Sequence, residues 1–175
     1  QMATTNVNFL SPIEFKLVLT RLPNVEFFVQ AVNIPGMSSG FIERPTPFKV
    51  LYEPGAELVY DDLQVTIACD ENLESFREIQ TWLTALTYPE SFDQYATLNP
   101  HSVGKKTPTE AINTVKSDGS LIVLDSNKNA NITLKFRDLF PSAIGGIQLN
   151  TTGTDLNPPT FDITFKYNSY TIEVT

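Results

Sequence analysis

The sequence predicts a mainly β protein: a two-sheet antiparallel β-sandwich or barrel with one flanking α-helix and a long projecting hairpin loop. Three observations support this fold class. Apolar and polar residues alternate with a period of two in several segments, which is typical of half-buried strands. Aromatic and β-branched residues dominate those segments, as pleated surfaces favour. A single segment has the three-and-four spacing of an amphipathic helix, and one helix laid on antiparallel sheets is a stable layered arrangement.

Five segments carry the strand alternation. They span residues 13–20, 25–32, 63–68, 131–137 and 161–167, and the last can run on towards Ile172 and Val174. In the first segment Phe15 and Leu17 point to one face, whereas Lys16 points to the other. In the fourth, Ile132, Leu134 and Phe136 are expected to point inward. Each segment therefore has one face for a core and one face for water.

Two hairpins are predicted from turn residues. Asp118-Gly119 suits a tight turn with positive φ between strands 113–116 and 121–124. Pro54-Gly55 has the type II turn pattern and predicts the tip of a hairpin with strands 48–52 and 57–60. This second hairpin belongs to a projecting loop over residues 33–61. Its apolar side chains exceed what a lone two-stranded ribbon exposes to water, so we expect it to pack on another surface.

The helix is predicted over residues 72–87, because apolar residues recur at steps of three and four. Those residues are Leu73, Phe76, Ile79, Leu83 and Leu86. Asp70 or Asn72 can cap the first turn, Pro89 ends the helix, and Trp82 is expected in the core. Residues 88–110 form a long polar connection, and residues 1–12 an N-terminal arm. We expect a single domain over residues 1–175.

Composition excludes several functions. Twelve Lys and Arg against twenty Asp and Glu give a net charge of −8, which disfavours wrapping of DNA through phosphate counterion release. With one cysteine, Cys69, and one histidine, His101, neither an internal disulfide nor a Cys/His zinc site can form. No run approaches the roughly 18 apolar residues of a membrane span, and residues 1–10 lack the pattern of a signal peptide. We therefore expect no cofactor, no metal and no membrane partner.

No catalytic constellation is visible. His101 lies in a predicted loop, and no Gly-x-Ser-x-Gly pattern accompanies it. Asp61 and Asp62 are adjacent strand residues that point to opposite faces, so they do not form a carboxylate pair. Cys69 ends an apolar strand face and is interpreted as a small core residue. The sequence therefore predicts a protein that is not an enzyme.

Four stretches follow one another in a recognisable order. The first is a strand pair, 15–19 and 26–31, followed by Asn33-Ile34-Pro35-Gly36, and the second is the strand start Tyr60-Asp61-Asp62-Leu63. The third is Asp70-Glu71, which precedes the helix with Phe76 and Trp82. The fourth is Leu139-Phe140-Pro141, in a turn before the final strand. In this order they resemble the tail tube proteins of contractile-tailed bacteriophages. The tubes of phage-like bacteriocins and of type VI secretion systems share the same general fold.

This resemblance implies a structural subunit of a contractile phage tail. Six copies form a ring with their inner sheets joined into one barrel, and rings stack into a hollow tube inside a contractile sheath. The tape measure protein and DNA occupy the lumen, without specific DNA binding. A baseplate initiator and a tail terminator stand at the two ends. The resemblance also implies a virion component that is assembled in the host cytoplasm, with the loop over residues 33–61 reaching neighbouring subunits and the next ring.

Two sets of candidate site residues follow. The expected contacts between subunits and rings are Phe48, Val50, Leu51, Tyr52, Leu58, Val59 and Tyr60. The candidates for the lumen-facing surface are Gln64, Thr66, Thr133, Lys135, Arg137, Asp162, Thr164 and Lys166. An equally ordinary interpretation is that some of the second set face the outside of the tube.

An alternative function is a carbohydrate-binding or adhesin-like β-sandwich module of a tail fibre or baseplate. Such a module presents exposed aromatic residues in its loops, and Tyr88, Phe92 and Tyr95 are available for that role. It would form small particles, whereas a tube subunit would form rings or tubes.

Overall fold

The computed structural model describes residues 14–22, 25–87, 115–125, 128–150 and 157–174. These residues form antiparallel sheets with one α-helix, which confirms the predicted fold class. In chain order the elements are β1 (Phe15–Leu19), a 3-10 helix (Val25–Phe27), β2 (Val29–Val32), β3 (Met37–Pro45), β4 (Val50–Tyr60), β5 (Leu63–Ala68), α1 (Glu74–Thr87), β6 (Ser117–Leu124), β7 (Ala130–Ile144), β8 (Thr160–Lys166) and β9 (Ser169–Val174).

Strand β7 belongs to two sheets. Sheet A has the order β1-β6-β7-β9, and sheet B has the order β7-β8-β5-β2. The first part of β7 pairs with β6 and β9, whereas Phe140–Ile144 pairs with β8. Between the two parts, Asp138 has a φ of 57°, which is uncommon for a residue with a side chain and marks the change of direction. One strand thus joins both layers, while β3 and β4 form a separate two-stranded sheet.

The core lies between the inner faces of sheets A and B. Its largest side chains alternate along the strands, as the period-two pattern predicts. The main contributors are Leu17, Leu121, Leu134 and Phe136 from sheet A and Leu63, Val65, Ile67, Phe161, Ile163 and Phe165 from sheet B. Strand β5 has the predicted bounds, and the predicted inward residues of β7 are buried except for Ile132, which is half-buried.

Helix α1 begins two residues later than predicted, and Asp70 caps its first turn. The Asp70 carboxylate accepts hydrogen bonds from the backbone N–H groups of Glu74, at 2.8 Å, and Ser75, at 3.3 Å. Partial burial alone would raise the pKa of the Asp70 carboxyl, but these hydrogen bonds outweigh it and hold the pKa below its usual value. Leu73 has a φ of 53° and an exposed side chain, so it lies outside the helix and its core.

The buried face of the helix is rotated from the predicted one. Ser75, Ile79, Trp82 and Ala85 are buried, whereas Leu83 is only half-buried. Trp82 lies in the core as predicted and donates a hydrogen bond from its indole N–H to the Val115 carbonyl, at 3.1 Å. Phe76 contacts Phe161, and Trp82 contacts Phe165, so the helix packs on the core-facing side of β8. In the described part of the chain, no helix has the length and apolar character that crossing a bilayer requires.

Two predicted turns are wrong. Asp118-Gly119 lies inside β6, where Gly119 pairs with Leu19 on one side and Phe136 on the other. A Cβ on Gly119 would lie 2.9 Å from the Leu19 Cδ2, so this glycine permits close packing instead of a turn. Leu139-Phe140-Pro141 also lies within a strand, β7, with a register shift just after Pro141.

Other predictions need smaller corrections. Residues 25–32 form a 3-10 helix and then the short strand β2 instead of one strand. The last predicted strand turns back after Lys166, and β9 pairs with β7. Cys69 is half-buried against the core, and burial together with the Asp70 carboxylate raises the pKa of its thiol. His101, the 88–110 connection, the N-terminal arm and the predicted strand residues Ile13, Asn113 and Thr114 lie outside the described residues.

Candidate assembly surfaces

The projecting hairpin is formed by β3 and β4. Its register runs from Met37 opposite Tyr60 at the root to Pro45 opposite Val50 at the tip. Thr46 closes the tip, because its backbone N–H donates to the Lys49 carbonyl at 3.0 Å and its hydroxyl accepts from the Lys49 N–H at 3.2 Å. The prediction that Pro54-Gly55 forms the tip is therefore wrong.

Pro54-Gly55 lies in the middle of β4, next to a bulge. Ser39 stands opposite Leu58, but Phe41 stands opposite Pro54, so Gly40 alone faces three residues of β4. A Cβ on Gly55 would lie 2.6 Å from the Gly40 carbonyl oxygen. Glycine is needed at this point because the two backbones approach each other closely.

The hairpin has two different faces. Because side chains alternate and the bulge preserves the alternation, the register assigns each residue to one face. The apolar face carries Met37, Phe41, Pro45, Val50, Tyr52, Pro54, Leu58 and Tyr60, with Ser39 and Glu43. The charged face carries Ser38, Ile42, Arg44, Leu51, Glu53, Glu57 and Val59. Contacts agree with this division: Phe41 and Tyr52 pack edge to face at 5.6 Å, and Arg44 pairs with Glu53 at 3.1 Å.

Most of the predicted contact residues are exposed. Phe48 in the tip is 97% exposed, and Tyr52 is 68% exposed. Val50, Tyr52 and Leu58 lie on the apolar face, whereas Leu51 and Val59 lie on the charged face. Tyr60 differs from the others because it is half-buried at the root. The predicted set is therefore solvent-accessible in the single chain, apart from Tyr60, but it divides between two faces.

The root of the hairpin contacts a group of aromatic residues that sequence reasoning missed. We call Tyr60, Phe136, Tyr167 and Tyr170 the tyrosine cluster. Tyr60 packs on Tyr167 and Tyr170 with ring centroids 5.8 and 5.5 Å apart, and both of these rings contact Phe136. The Tyr167 hydroxyl donates to the Asp61 carbonyl at 2.8 Å, and the Tyr170 hydroxyl donates to the Pro35 carbonyl at 3.1 Å.

Within the tyrosine cluster, Tyr167 keeps its hydroxyl group protonated over a wide pH range. Burial, followed by the charges of Tyr170, Asp61 and nearby groups, raises the pKa of Tyr167 to about 12. A neutral phenol can donate a hydrogen bond, whereas a phenolate cannot. The bond from Tyr167 to Asp61 is therefore retained at neutral pH. In the sequence, the feature that could have indicated this cluster is the pair of tyrosines three residues apart, Tyr167 and Tyr170. Their hydrogen-bond partners lie far away in the chain.

The predicted lumen-facing residues divide between the two sheets. Gln64, Thr66, Asp162, Thr164 and Lys166 lie on the outward face of sheet B, and Thr133, Lys135 and Arg137 lie on the outward face of sheet A. On sheet B, Thr66 donates a hydrogen bond to Asp162 at 2.6 Å, and Lys166 pairs with Asp62 at 2.5 Å. On sheet A, Lys135 pairs with Glu173 at 2.6 Å. No single face holds all eight residues.

Surface depressions flank helix α1. Arg21 lies over the Trp82 ring at 5.2 Å in one of them, beside Glu78. Another is mostly apolar and is lined by residues that include Leu83 and Phe140. Among the described residues, no three His, Cys, Asp or Glu side chains come together as a set of metal ligands. Nine of the fifteen large apolar side chains that are exposed among the described residues belong to the hairpin.

Comparisons with known proteins identify the family. A model of the phage tail tube protein family matches residues 6–173. No curated protein sequence matches the chain. A chain of the sheath-tube complex of an extracellular contractile injection system in the extended state is 10% identical with a TM-score of 0.59, over 99% of this chain and 100% of that chain.

Two further structures have a similar fold. A chain from the tube terminating cap of the anti-feeding prophage is 11% identical with a TM-score of 0.59, over 99% of this chain and 97% of that chain. A type six secretion system protein is 14% identical with a TM-score of 0.51, over 93% and 83%. Because the family model covers nearly the whole sequence, the chain belongs to the phage tail tube protein family.

Proposed function

We propose that this protein is a structural, non-enzymatic subunit of a contractile tail tube, in which hexameric rings stack around a lumen that conducts DNA. The observation that carries this proposal is the exposed apolar face of the β3–β4 hairpin, on a domain that belongs to the tail tube family. A lone two-stranded ribbon with one apolar face is only marginally stable in water, so it gains stability by packing on another copy of the chain.

The proposed assembly sets the partners of the chain. The similar chains come from a sheath-tube complex and from a tube terminating cap, which supports a sheath outside the tube and a terminator at its end. The tape measure protein and DNA would occupy the lumen, and a baseplate initiator would stand at the other end. The protein would then be part of the virion and would be assembled in the host cytoplasm.

The hairpin would dock through its apolar face. Met37, Phe41, Val50, Tyr52 and Leu58 would lie against a neighbouring subunit, with Phe48 at the tip extending the contact. The charged face would remain towards water, because the Arg44–Glu53 ion pair is exposed and would lose hydration on burial. On this proposal Leu51 and Val59 contribute less to assembly than the residues of the apolar face.

The outward face of sheet B would line the lumen. Strands β2 and β5, which lead into and out of the hairpin, are neighbours in sheet B, so the docking element continues that sheet. Helix α1 packs on the opposite side of β8 and leaves this face uncovered. The threonine hydroxyls and paired charges on the outward face of sheet B would adhere weakly to DNA.

Sheet A would then face the outside of the tube. Its outward face carries Arg137, whose guanidinium would attract phosphates if it lined the lumen, whereas Lys16 and Lys135 are paired with Glu26 and Glu173. The overall charge of −8 further disfavours adhesion to DNA. This assignment separates the eight predicted lumen residues into an inner set on sheet B and an outer set on sheet A.

Negative-stain electron microscopy tests the proposed assembly. We expect six-fold rings or hollow tubes from the purified protein. A matched variant replaces residues 40–57 with an Asn-Gly turn, which joins Ser39 to Leu58 where they already face each other. It should keep its β-type circular dichroism and form no long tubes. Small featureless particles of the parent at every concentration and salt would contradict the proposal and favour the adhesin-like alternative, whose aromatic residues Tyr88, Phe92 and Tyr95 lie outside the described residues.

Cysteine labelling tests which sheet lines the lumen. In a Cys69→Ala background, Thr164→Cys reports on sheet B and Lys135→Cys reports on sheet A. A maleimide attached to a polymer too bulky to enter the tube should label both variants as subunits. In assembled tubes it should label Lys135→Cys but not Thr164→Cys. The opposite pattern would assign sheet A to the lumen.

A further inference from the structure

The two chain segments that connect the hairpin to the sandwich lie side by side. Residues 33–36 lead into β3, and residues 61–62 lead out of β4. The Asp61 N–H donates to the Gly36 carbonyl at 3.0 Å, and the Asn33 side-chain amide donates to the Asp62 carbonyl at 3.0 Å. These bonds resist separation of the two segments. They lie between the segments, however, so they do little to resist bending of the whole hairpin towards either face.

The tyrosine cluster acts on the bend instead. Within it, Tyr60 of the hairpin packs on Tyr167 and Tyr170. The hydroxyls of those two residues donate to one carbonyl on each connecting segment, those of Asp61 and Pro35. Both donors flank the turn between β8 and β9. They therefore join the sandwich to each of the two connecting segments, beside the ion pair between Lys166 of β8 and Asp62.

The β8–β9 turn is itself fixed to β7. The Asn168 backbone N–H donates to the Arg137 carbonyl at 3.1 Å, and its side-chain amide donates to the Asp138 carboxylate at 2.7 Å. Phe136 of β7 is buried and contacts both Tyr167 and Tyr170. A continuous series of contacts therefore runs from the shared strand β7 through the turn to the root of the hairpin.

We propose that Tyr167 and Tyr170 are positioning residues that hold the β3–β4 hairpin at one angle to the sandwich and so present its apolar face ready for docking. A hairpin free to bend would lose orientational freedom on docking, and this loss would weaken assembly. A hairpin already held in its docking direction avoids that loss. The consequence for docking rests on the proposed function, whereas the orientation of the hairpin can be measured without it.

Spin labels measure the orientation directly. In a Cys69→Ala background, one label at Lys49→Cys marks the hairpin tip, and one at Lys135→Cys marks β7 of the sandwich. The double variant Tyr167→Phe/Tyr170→Phe keeps both rings and removes only the two donors. Tyr52→Phe is the matched control for the distance measurement alone, since it removes a hydroxyl from the exposed part of the hairpin but belongs to the docking face. Thermal unfolding of each variant verifies that the sandwich remains folded. If the double variant does not fold, the two single variants Tyr167→Phe and Tyr170→Phe are measured instead.

We expect a narrow distance distribution in the parent and in Tyr52→Phe, and a clearly broader one in the double variant. The critical concentration for tube formation should rise by about three- to tenfold for each hydroxyl removed. An unchanged distribution would overturn the proposal. A broadened distribution with parental tube formation would also overturn it, because the angle would then not matter for docking. Failure of the parent to form tubes would contradict the proposed function instead, and the distance distributions would still decide whether the tyrosines hold the hairpin.

Discussion

Replacing Phe41 with alanine should weaken tube assembly without weakening the subunit. The Phe41 side chain lies on the apolar face and is 65% exposed. A phenylalanine side chain buries about 150–250 Å² of surface when it is fully covered. At 65% exposure, roughly 100–160 Å² of the Phe41 side chain remains available for docking. At about 25 cal/mol per Å², and after allowance for the retained Cβ, the substitution removes about 2–3 kcal/mol from each docked hairpin. The critical concentration for assembly should therefore rise about 30- to 150-fold.

A matched control lies next to it in the sequence. Ile42 is 58% exposed and belongs to the charged face, as does Leu51. The double variant Ile42→Ala/Leu51→Ala removes a comparable apolar area from the side that we expect to face water. Its critical concentration should stay close to that of the parent. The assay is pelleting of tubes over a concentration series, with thermal unfolding of the unassembled subunit measured in parallel.

The two variants can refute the reasoning in separate ways. Equal losses of assembly would show that both faces dock, and the distinction between them would be wrong. Normal assembly of Phe41→Ala would show that the hairpin does not dock through its apolar face. A large fall in the unfolding temperature of Phe41→Ala would show that this side chain stabilises its own sandwich, contrary to its exposure.

Three further outcomes are expected. Ile79→Ala should lower the free energy of unfolding by about 2–5 kcal/mol, because Ile79 is fully buried. Leu83→Ala should lower it by less, because Leu83 is half-buried. If denaturant titrations gave the opposite ranking, the helix would pack differently. Asp70→Ala should destabilise the protein by about 0.5–2 kcal/mol through the lost helix cap. Folding lowers the pKa of the Asp70 carboxyl, so the stability difference between the parent and Asp70→Ala should be complete at pH values above the pKa that this carboxyl has in the unfolded chain. The difference should shrink as the pH falls through the pKa in the folded protein. Denaturation at several pH values will test this. Filter binding at physiological salt should detect no affinity for duplex DNA, since the net charge is −8, and a salt-dependent micromolar affinity would contradict this expectation.

Local patterns predicted the strands whose two faces differ. Strand β5 has the predicted bounds because its alternation is uninterrupted and one face is buried. The turn residues misled, because glycine serves two purposes that look alike in a sequence. Gly119 and Gly55 lie where another chain segment approaches closely, and that requirement depends on partners distant in sequence.

The candidate assembly surface was predicted only in part. The projecting hairpin follows from the turn residues and apolar side chains of residues 48–60 and from the resemblance to tail tube proteins. The division into an apolar and a charged face depends on the register of β3 against β4, which the misplaced tip at Pro54-Gly55 hid. The tyrosine cluster was missed because Tyr170 and Pro35 meet only through the tertiary fold.

The order of synthesis gives the tyrosine cluster a further consequence. The hairpin is complete once Tyr60 has been made, but β1 pairs with β6, and β5 pairs with β8, which are made much later. Pairings between such distant segments form slowly, because long loops must close first. Tyr167 and Tyr170 come later still. If they hold the hairpin as proposed, a truncated or unfinished chain cannot take up the docking angle, so defective subunits are kept out of the growing tube.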